Sequence, residues 1–226
     1  MTAPKRITVF AGHYGSGKTL IALNYALALQ EQGLPVTLAD LDIVNPYFRT
    51  QDFKTLLGSR GIRLIVSEYA GSNAELPGFP PEAVSVFDNE GSYGVLDVGG
   101  DDRGALALGR FSKRLEQAEN LLVINAFRPQ TRQPEGVLEL MREMEDAARM
   151  RFTGLVNNSH WGGKTTLQDV LDTEGYAAEV SRLSGLPLCF TAIKSDLAKQ
   201  WPQEKGPCLP LTIYEQFQGQ RDGELI

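Results

Sequence analysis

Short apolar runs alternate along the chain with longer segments whose apolar residues recur every three or four positions. The apolar runs predict buried strands, and they read RITVFAG, PVTLAD, IRLIV, YGVLDVGG, NLLVINAF, FTGLVNN and LPLCFTAI. The third of them predicts a strand at the edge of a sheet. The intervening segments, such as KTLIALNYALALQEQG and PEGVLELMREMEDAARM, predict helices with one apolar face. Continuously apolar strands that alternate with helices indicate a parallel sheet covered on both faces.

The alternation runs through the whole chain without a repeat or a linker, so we expect one domain over residues 1–226. The longest loop-like piece, AGSNAELPGFPPEA, predicts an insertion before the strand YGVLDVGG. The expected fold class is α/β: a doubly wound, mostly parallel sheet with helices on both faces, in three α/β/α layers. In such folds ligands bind at the carboxyl ends of the strands.

The segment GHYGSGKT follows the first predicted strand and opens the first predicted helix, and it fits the phosphate-loop pattern G-x-x-x-x-G-K-[ST]. Glycines let the backbone N–H groups turn inward around an anion, and the helix N-terminus adds its positive end. In this pattern Lys18 bridges the outer phosphates and the Thr19 hydroxyl binds Mg²⁺. The context therefore predicts a nucleoside-triphosphate site of the P-loop NTPase type.

Acidic residues follow two further strands at the expected edge of the sheet. Asp97 leaves YGVLDVGG in the Walker B arrangement, where an acid helps hold Mg²⁺, and Gly100 at D-x-x-G spacing can offer its N–H to a γ-phosphate. Asp40 and Asp42 leave PVTLAD, and one of these carboxylates can orient the attacking water or order the metal shell. We interpret Asp101, Asp102 and Arg103, which follow, as a switch region whose individual roles this pattern does not assign.

Composition narrows the choice of partners and compartment. The 226 residues are 42% hydrophobic and 22% charged, with a formal net charge of −6, which argues against nucleic acid as the main partner. Two cysteines without CxxC spacing, no signal peptide and no long apolar run predict a cytoplasmic protein without a membrane partner.

Three segments together resemble the MinD/ParA branch of P-loop NTPases, which includes the CobQ/CobB-type ATPases: GHYGSGKT, DLD after the second strand, and DVGG. The resemblance implies ATP with Mg²⁺, with Asp42 orienting the hydrolytic water and with Asp97 and Gly100 in switch II. It also implies an asparagine that reads adenine after a late strand, where LVNNSH offers Asn157 or Asn158; we favour Asn157.

Guanine readers use N-K-x-D instead, and the nearest string, AIKSD, has Ile193 in place of the asparagine, so we favour ATP over GTP. We expect Lys18 and Asp42 to be catalytic, and Thr19, Asp42 and Asp97 to bind the metal. The expected nucleotide-binding residues are Gly12, His13, Gly15, Ser16, Gly17, Lys18, Thr19, Leu20, Gly100 and Asn157.

The chain departs from that family at His13. The family's loop carries a lysine at this position, which reaches the phosphates of a partner across a nucleotide-sandwich dimer. Neutral imidazole is shorter and only partly charged at neutral pH. His13 either donates a hydrogen bond as an exposed loop residue or contacts phosphate, and Arg49 or Arg103 can supply the missing charge.

Three functions fit these residues. The first is a slow ATPase that acts as a nucleotide-dependent switch. Such a switch can form a nucleotide-dependent homodimer and can act on a protein partner. The second is an ATP-dependent kinase or ligase for a small molecule, with NPYFRTQDF and AGSNAELPGF as walls of an acceptor site. The third is a nucleotide-sensing module that binds ATP without hydrolysis.

Overall fold

The computed structural model describes residues 3–42, 53–66, 81–99, 105, 106 and 108–214. Its centre is an eight-stranded sheet in the order β3-β2-β4-β1-β5-β6-β7-β8, in which all neighbouring strands are parallel. The strands are β1 (Ile7–Ala11), β2 (Val36–Asp40), β3 (Arg63–Val66), β4 (Tyr93–Val98), β5 (Glu119–Ile124), β6 (Gly154–Asn157), β7 (Leu188–Lys194) and β8 (Cys208–Leu211).

Helices connect these strands. They are α1 (Lys18–Glu31), α2 (Lys54–Ser59), α3 (Pro81–Asp88), α4 (Ser112–Leu115), α5 (Pro134–Ala148), α6 (Leu167–Asp172), α7 (Glu174–Ser184) and α8 (Ser195–Ala198). The segment between β6 and β7 divides into two helices, and the second begins at Glu174, directly after the C-cap of the first.

Apolar side chains alternate between the two faces of the central strands and form a core on each side. On β1, Val9 belongs to the core under α5 and α7, whereas Phe10 belongs to the core under α1. Each face of the sheet is thus sealed by its own helices. The predicted fold class, a doubly wound parallel sheet in three layers, is confirmed.

The predicted edge position of IRLIV is also confirmed, since β3 ends the sheet on one side. The opposite edge is β8, which the sequence pattern did not predict because the strand is four residues long and contains Pro210. A proline has no N–H for the ladder and is tolerated in edge strands. Asn24 on α1 joins this edge to the centre: its side chain donates to the carbonyl of Thr212 and accepts from the Thr212 N–H.

Within the part of the chain that the structure describes, no helix has the length and apolar character needed to cross a membrane.

Candidate functional site

The phosphate-loop segment lies at the carboxyl edge of the sheet, between the end of β1 and the first turn of α1. Gly17 caps α1 with φ 85°, and the Ser16 N–H donates to the His13 carbonyl at 3.0 Å, which closes the turn. β1 is flanked by β4 and β5, so the loop lies next to the carboxyl ends of those two strands. The sequence pattern and the observed position agree on where an anion would meet the helix N-terminus.

Two glycines of the loop are required because neighbouring segments approach them closely. A Cβ at Gly12 would lie 2.6 Å from the carbonyl oxygen of Val123 on β5. A Cβ at Gly17 would lie 2.3 Å from the Nδ2 of Asn158, and the positive φ of Gly17 is itself unfavourable for other residues. The loop is therefore fitted against β5 on one side and against the segment after β6 on the other.

Asn158 holds the loop from the β6 side. Its Nδ2 donates to the Ser16 carbonyl at 2.6 Å, across 142 residues of sequence, and its side chain is fully buried. Its Oδ1 is buried without a hydrogen-bond partner among the described residues. Asn157, in contrast, donates to the Thr173 hydroxyl and accepts from the hydroxyl and N–H of Ser159. The structure thus brings Asn158, rather than Asn157, into contact with the loop.

Lys18 lies in a buried acidic environment. Its Nζ is 2.7 Å from the Oδ2 of Asp42, and both side chains are almost inaccessible to solvent. Burial alone would lower the pKa of Lys18, but the carboxylates of Asp97, Asp42 and Asp40 together outweigh it and raise that pKa above its ordinary value. Lys18 is consequently a permanent ammonium, held here by Asp42.

Asp97 is a buried acid whose pKa is strongly raised. It lies opposite Asp40 in the register of β2 and β4, and its side chain is 0% exposed. Burial raises the pKa of Asp97 to about 8; Lys18 opposes this shift, and Asp40 and Asp42 add to it. Neither carboxyl oxygen accepts a hydrogen bond from a described residue, and the nearby Thr19 hydroxyl, which also lowers the pKa, falls short of hydrogen-bond geometry.

These orphaned oxygens fit a divalent cation. Thr19 and Asp97 are both buried, and the buried hydroxyl of Ser16 in the same loop also has no hydrogen-bond partner among the described residues. The described residues contain no group of three or more histidine, cysteine, aspartate or glutamate side chains arranged to hold a metal. Thr19 and Asp97 are the residues that would hold a cation such as Mg²⁺, which binds proteins through one or two oxygens and keeps several waters.

His13 bonds only within its own turn in the described structure. Its Nδ1 donates to the carbonyl of Tyr14 at 2.9 Å, and Tyr14 itself is exposed. This contact agrees with the alternative in which His13 is a hydrogen-bonding loop residue; a phosphate contact by His13 stays a prediction.

Arg128 is a contact that the sequence pattern did not indicate. It lies in the turn after β5, and its Nε donates to the carbonyl of Gly15 at 2.8 Å, across 113 residues of sequence. The turn is fixed by Asn125, whose carbonyl accepts from the Arg128 N–H and from the Thr131 hydroxyl. Only the tertiary fold brings this arginine to the phosphate loop.

A small cleft opens beside the loop on the β6 side. It lies between α1, the ends of β7 and β8, and the segment after β6. Its described lining residues are Leu20, Asn158, His160, Gly162, Thr165, Val170, Ala192, Ile193, Lys194, Leu197, Leu211 and Ile213. The lining is largely apolar with a few polar groups, as is common for small-molecule sites.

Several residues predicted to act at the site lie outside the described residues. They are Gly100, Arg49 and Arg103, together with Asp101, Asp102 and most of the two segments expected to form an acceptor site. Their predicted roles stay predictions.

The chain matches no family model, and it matches none of the curated proteins. It does resemble solved structures of FtsY. The cell division protein FtsY of Thermotoga maritima has a TM-score of 0.59 at 19% identity over 85% of this chain and 63% of its own. FtsY of Mycoplasma mycoides has a TM-score of 0.53 and is 18% identical in sequence; the match covers 84% of this chain and 62% of that protein. The signal recognition particle receptor FtsY of Elizabethkingia anophelis, solved in complex with GDP, has a TM-score of 0.52 and is 17% identical. That match covers 85% of this chain and 58% of the receptor.

This chain spans about three fifths of the length of those three proteins. At such low identity the likeness concerns the fold. It shows that the sheet and its helices form the three-layer architecture of P-loop NTPases.

Proposed function

We propose that this protein is a Mg²⁺-dependent ATP-binding protein and a slow ATPase that works as a nucleotide-dependent switch of the MinD/ParA type. The observation that carries the proposal is the loop from Gly12 to Thr19, which is clamped by Val123 and Asn158 and has Lys18 and Asp97 buried at its end. A glycine-rich turn at a helix N-terminus, with a buried lysine beside it, is chemically suited to bind phosphate groups.

Asp97 and Thr19 would hold the metal, which when bound neutralises charge that develops on the phosphates. Lys18 leaves Asp42 to bridge the outer phosphates, because an incoming polyphosphate offers the ammonium more negative charge than one carboxylate does. Asp42 is then released to orient a water molecule for attack. In this proposal, the ion pair of Lys18 and Asp42 belongs to the nucleotide-free state and separates when the polyphosphate binds.

The cleft supports adenine as the base. Asn158 is one of the residues that line the cleft, and its buried Oδ1 has no hydrogen-bond partner among the described residues, so we expect this oxygen to accept from the exocyclic amine of adenine once the base is bound. Guanine recognition needs a carboxylate, and none stands among the described lining residues. Asp196 of the string AIKSD is exposed and pairs with Lys194. These contacts favour Asn158 over Asn157 as the base-reading residue.

Calorimetric titrations with Mg-ATP, Mg-GTP and base-free tripolyphosphate test the ligand. We expect ATP to bind most tightly, Lys18→Ala to bind none of the three, and Asn158→Ala to lose the advantage of ATP over tripolyphosphate. Asn157→Ala is the comparison for the neighbouring amide. Equal affinity of the wild type for ATP and tripolyphosphate would contradict base recognition, and unchanged ATP binding by Lys18→Ala would contradict the site.

Turnover tests the switch. Asp42→Ala should keep Mg-ATP affinity and lose phosphate release, and its oligomeric state should be compared with and without Mg-ATP by light scattering. A nucleotide-dependent dimer favours the switch. Turnover that rises only with a metabolite favours the kinase or ligase, and tight binding without phosphate release in the wild type favours a sensing module.

A further inference from the structure

Position 13 carries a histidine instead of a lysine, but an arginine from another part of the chain, Arg128, contacts the phosphate loop. The guanidinium of Arg128 is half-buried against the phosphate loop, with its Nε bonded to the Gly15 carbonyl. A Cβ at Gly15 would lie 3.3 Å from that Nε and 3.4 Å from Cζ, so the side chain crosses the loop at this residue. The φ of Gly15 is +76°, which is the left-handed turn that directs loop N–H groups inward.

The turn that carries Arg128 is built to hold it in place. Asn125 is fully buried at the end of β5; its Oδ1 accepts from the Phe127 N–H and its Nδ2 donates to the His160 carbonyl. The next N–H, that of Ala126, donates to the Ser159 hydroxyl. The segment after β5 is thereby tied to the segment after β6, which itself holds the loop through Asn158.

Only the Nε of Arg128 is used in these contacts. Among the described residues, no hydrogen bond or ion pair involves its two Nη groups, which leaves up to four N–H donors on a rigid plane beside the loop. A guanidinium keeps its charge at any pH at which proteins fold, and its planar fork matches phosphate oxygens. The chain therefore carries a positioned and permanent cation at the phosphate loop.

We propose that Arg128 is a phosphate-binding residue that acts in cis: its Nε fixes the Gly15 turn, and its Nη groups contact the polyphosphate in place of the lysine that position 13 lacks. This inference rests on the proposed function only in that a polyphosphate is the ligand. Arg128 makes both contacts from one rigid group, so no second copy of the chain is needed to supply the charge.

Two substitutions separate the two contacts. In Arg128→Gln the Nε2 amide is as many bonds from the backbone as the arginine Nε, so it can keep the bond to Gly15 while the charge is lost. Arg128→Lys keeps the charge, but it has neither the Nε–H that bonds to Gly15 nor the planar fork of Nη groups. Arg132→Gln is the matched control, because Arg132 is an exposed arginine on the same segment and loses the same charge.

The measurement is the calorimetric affinity for tripolyphosphate and for Mg-ATP, with urea unfolding to verify that each variant folds. For both ligands we expect Arg128→Gln to weaken binding about 10- to 100-fold, the range of a charge-assisted hydrogen bond. Arg128→Lys should recover part of that loss, and Arg132→Gln should bind like the wild type. Wild-type affinity in Arg128→Gln, or tighter binding by Arg128→Gln than by Arg128→Lys, would overturn the proposal.

Tripolyphosphate also separates this inference from the proposed function. A wild-type protein that binds tripolyphosphate but neither prefers nor hydrolyses Mg-ATP contradicts the proposed function, and the order of the Arg128 variants with tripolyphosphate still decides the inference. A wild-type protein that binds neither ligand overturns both.

Discussion

Asp97→Asn should stabilise the nucleotide-free protein and at the same time remove its response to Mg²⁺. The side chain of Asp97 is 0% exposed, and its two oxygens accept no hydrogen bond from a described residue. Burial raises its pKa to about 8, with Asp40 and Asp42 adding to the shift against Lys18 and Thr19. An asparagine of the same shape needs no proton to stay neutral in this environment.

The magnitude follows from proton linkage. An unfolded aspartate ionises near pH 4, so between about pH 4 and pH 8 the native state binds a proton that the unfolded state does not. The wild type therefore loses stability as the pH rises through this window, by about 1.4 kcal/mol per unit. At pH 7 the accumulated cost is about 4 kcal/mol, and Asp97→Asn should be more stable than the wild type by an amount of that order.

The assay is urea unfolding of both proteins at pH 5, 6, 7 and 8 in the presence of a chelator, followed by tryptophan fluorescence. The difference in the free energy of unfolding should be small at pH 5 and grow with each unit. Asp146→Asn on α5 removes an exposed carboxyl group and should leave this difference flat. A difference that does not change with pH, or a variant less stable than the wild type at pH 7, would refute the reasoning. The Asp97→Asn variant should also show no dependence of its ATP affinity on Mg²⁺.

Two further substitutions test how the loop and the sheet edge are held. Gly17→Ala places a Cβ 2.3 Å from the Nδ2 of Asn158, at a backbone φ of +85°. We therefore expect the free energy of unfolding in urea to fall by about 1–3 kcal/mol and the calorimetric affinity for tripolyphosphate to fall strongly. A variant with wild-type affinity would contradict the close fit. Asn24→Ala removes both bonds to Thr212 and should cost about 1–3 kcal/mol in urea unfolding, whereas Gln32→Ala, an exposed amide after the same helix, should change little.

The sequence predicted those features that depend on neighbours along the chain. Strand periodicity, the phosphate-loop spacing and the acids at the strand ends are local patterns, and the structure places Lys18, Asp42 and Asp97 together as parallel strands require. β8 was missed because four residues with an internal proline carry almost no strand signal.

The contacts that close the site could not be predicted in this way. Arg128 and Asn158 meet the loop across 113 and 142 residues, and no spacing rule connects such positions. The choice between Asn157 and Asn158 depends on side-chain direction, since successive residues of an extended segment point to opposite sides. A sequence identifies the pair of amides, whereas the register of β6 against its neighbours determines which of them faces the loop.

The balance of charge at the site explains why further cations are required there. Lys18 is one ammonium among the carboxyl groups of Asp40, Asp42 and Asp97, so the described pocket offers no surplus of positive charge to a polyphosphate. In the proposed function, Mg²⁺ held by Asp97 and Thr19 would supply part of the deficit, and the loop dipoles would supply another part. With a histidine at position 13, the described cation that already touches the loop beside Lys18 is Arg128, held by a turn whose bonds reach β5 and the segment after β6. Arg128 can therefore supply, from the same chain, a positive charge that a lysine at position 13 would otherwise bring.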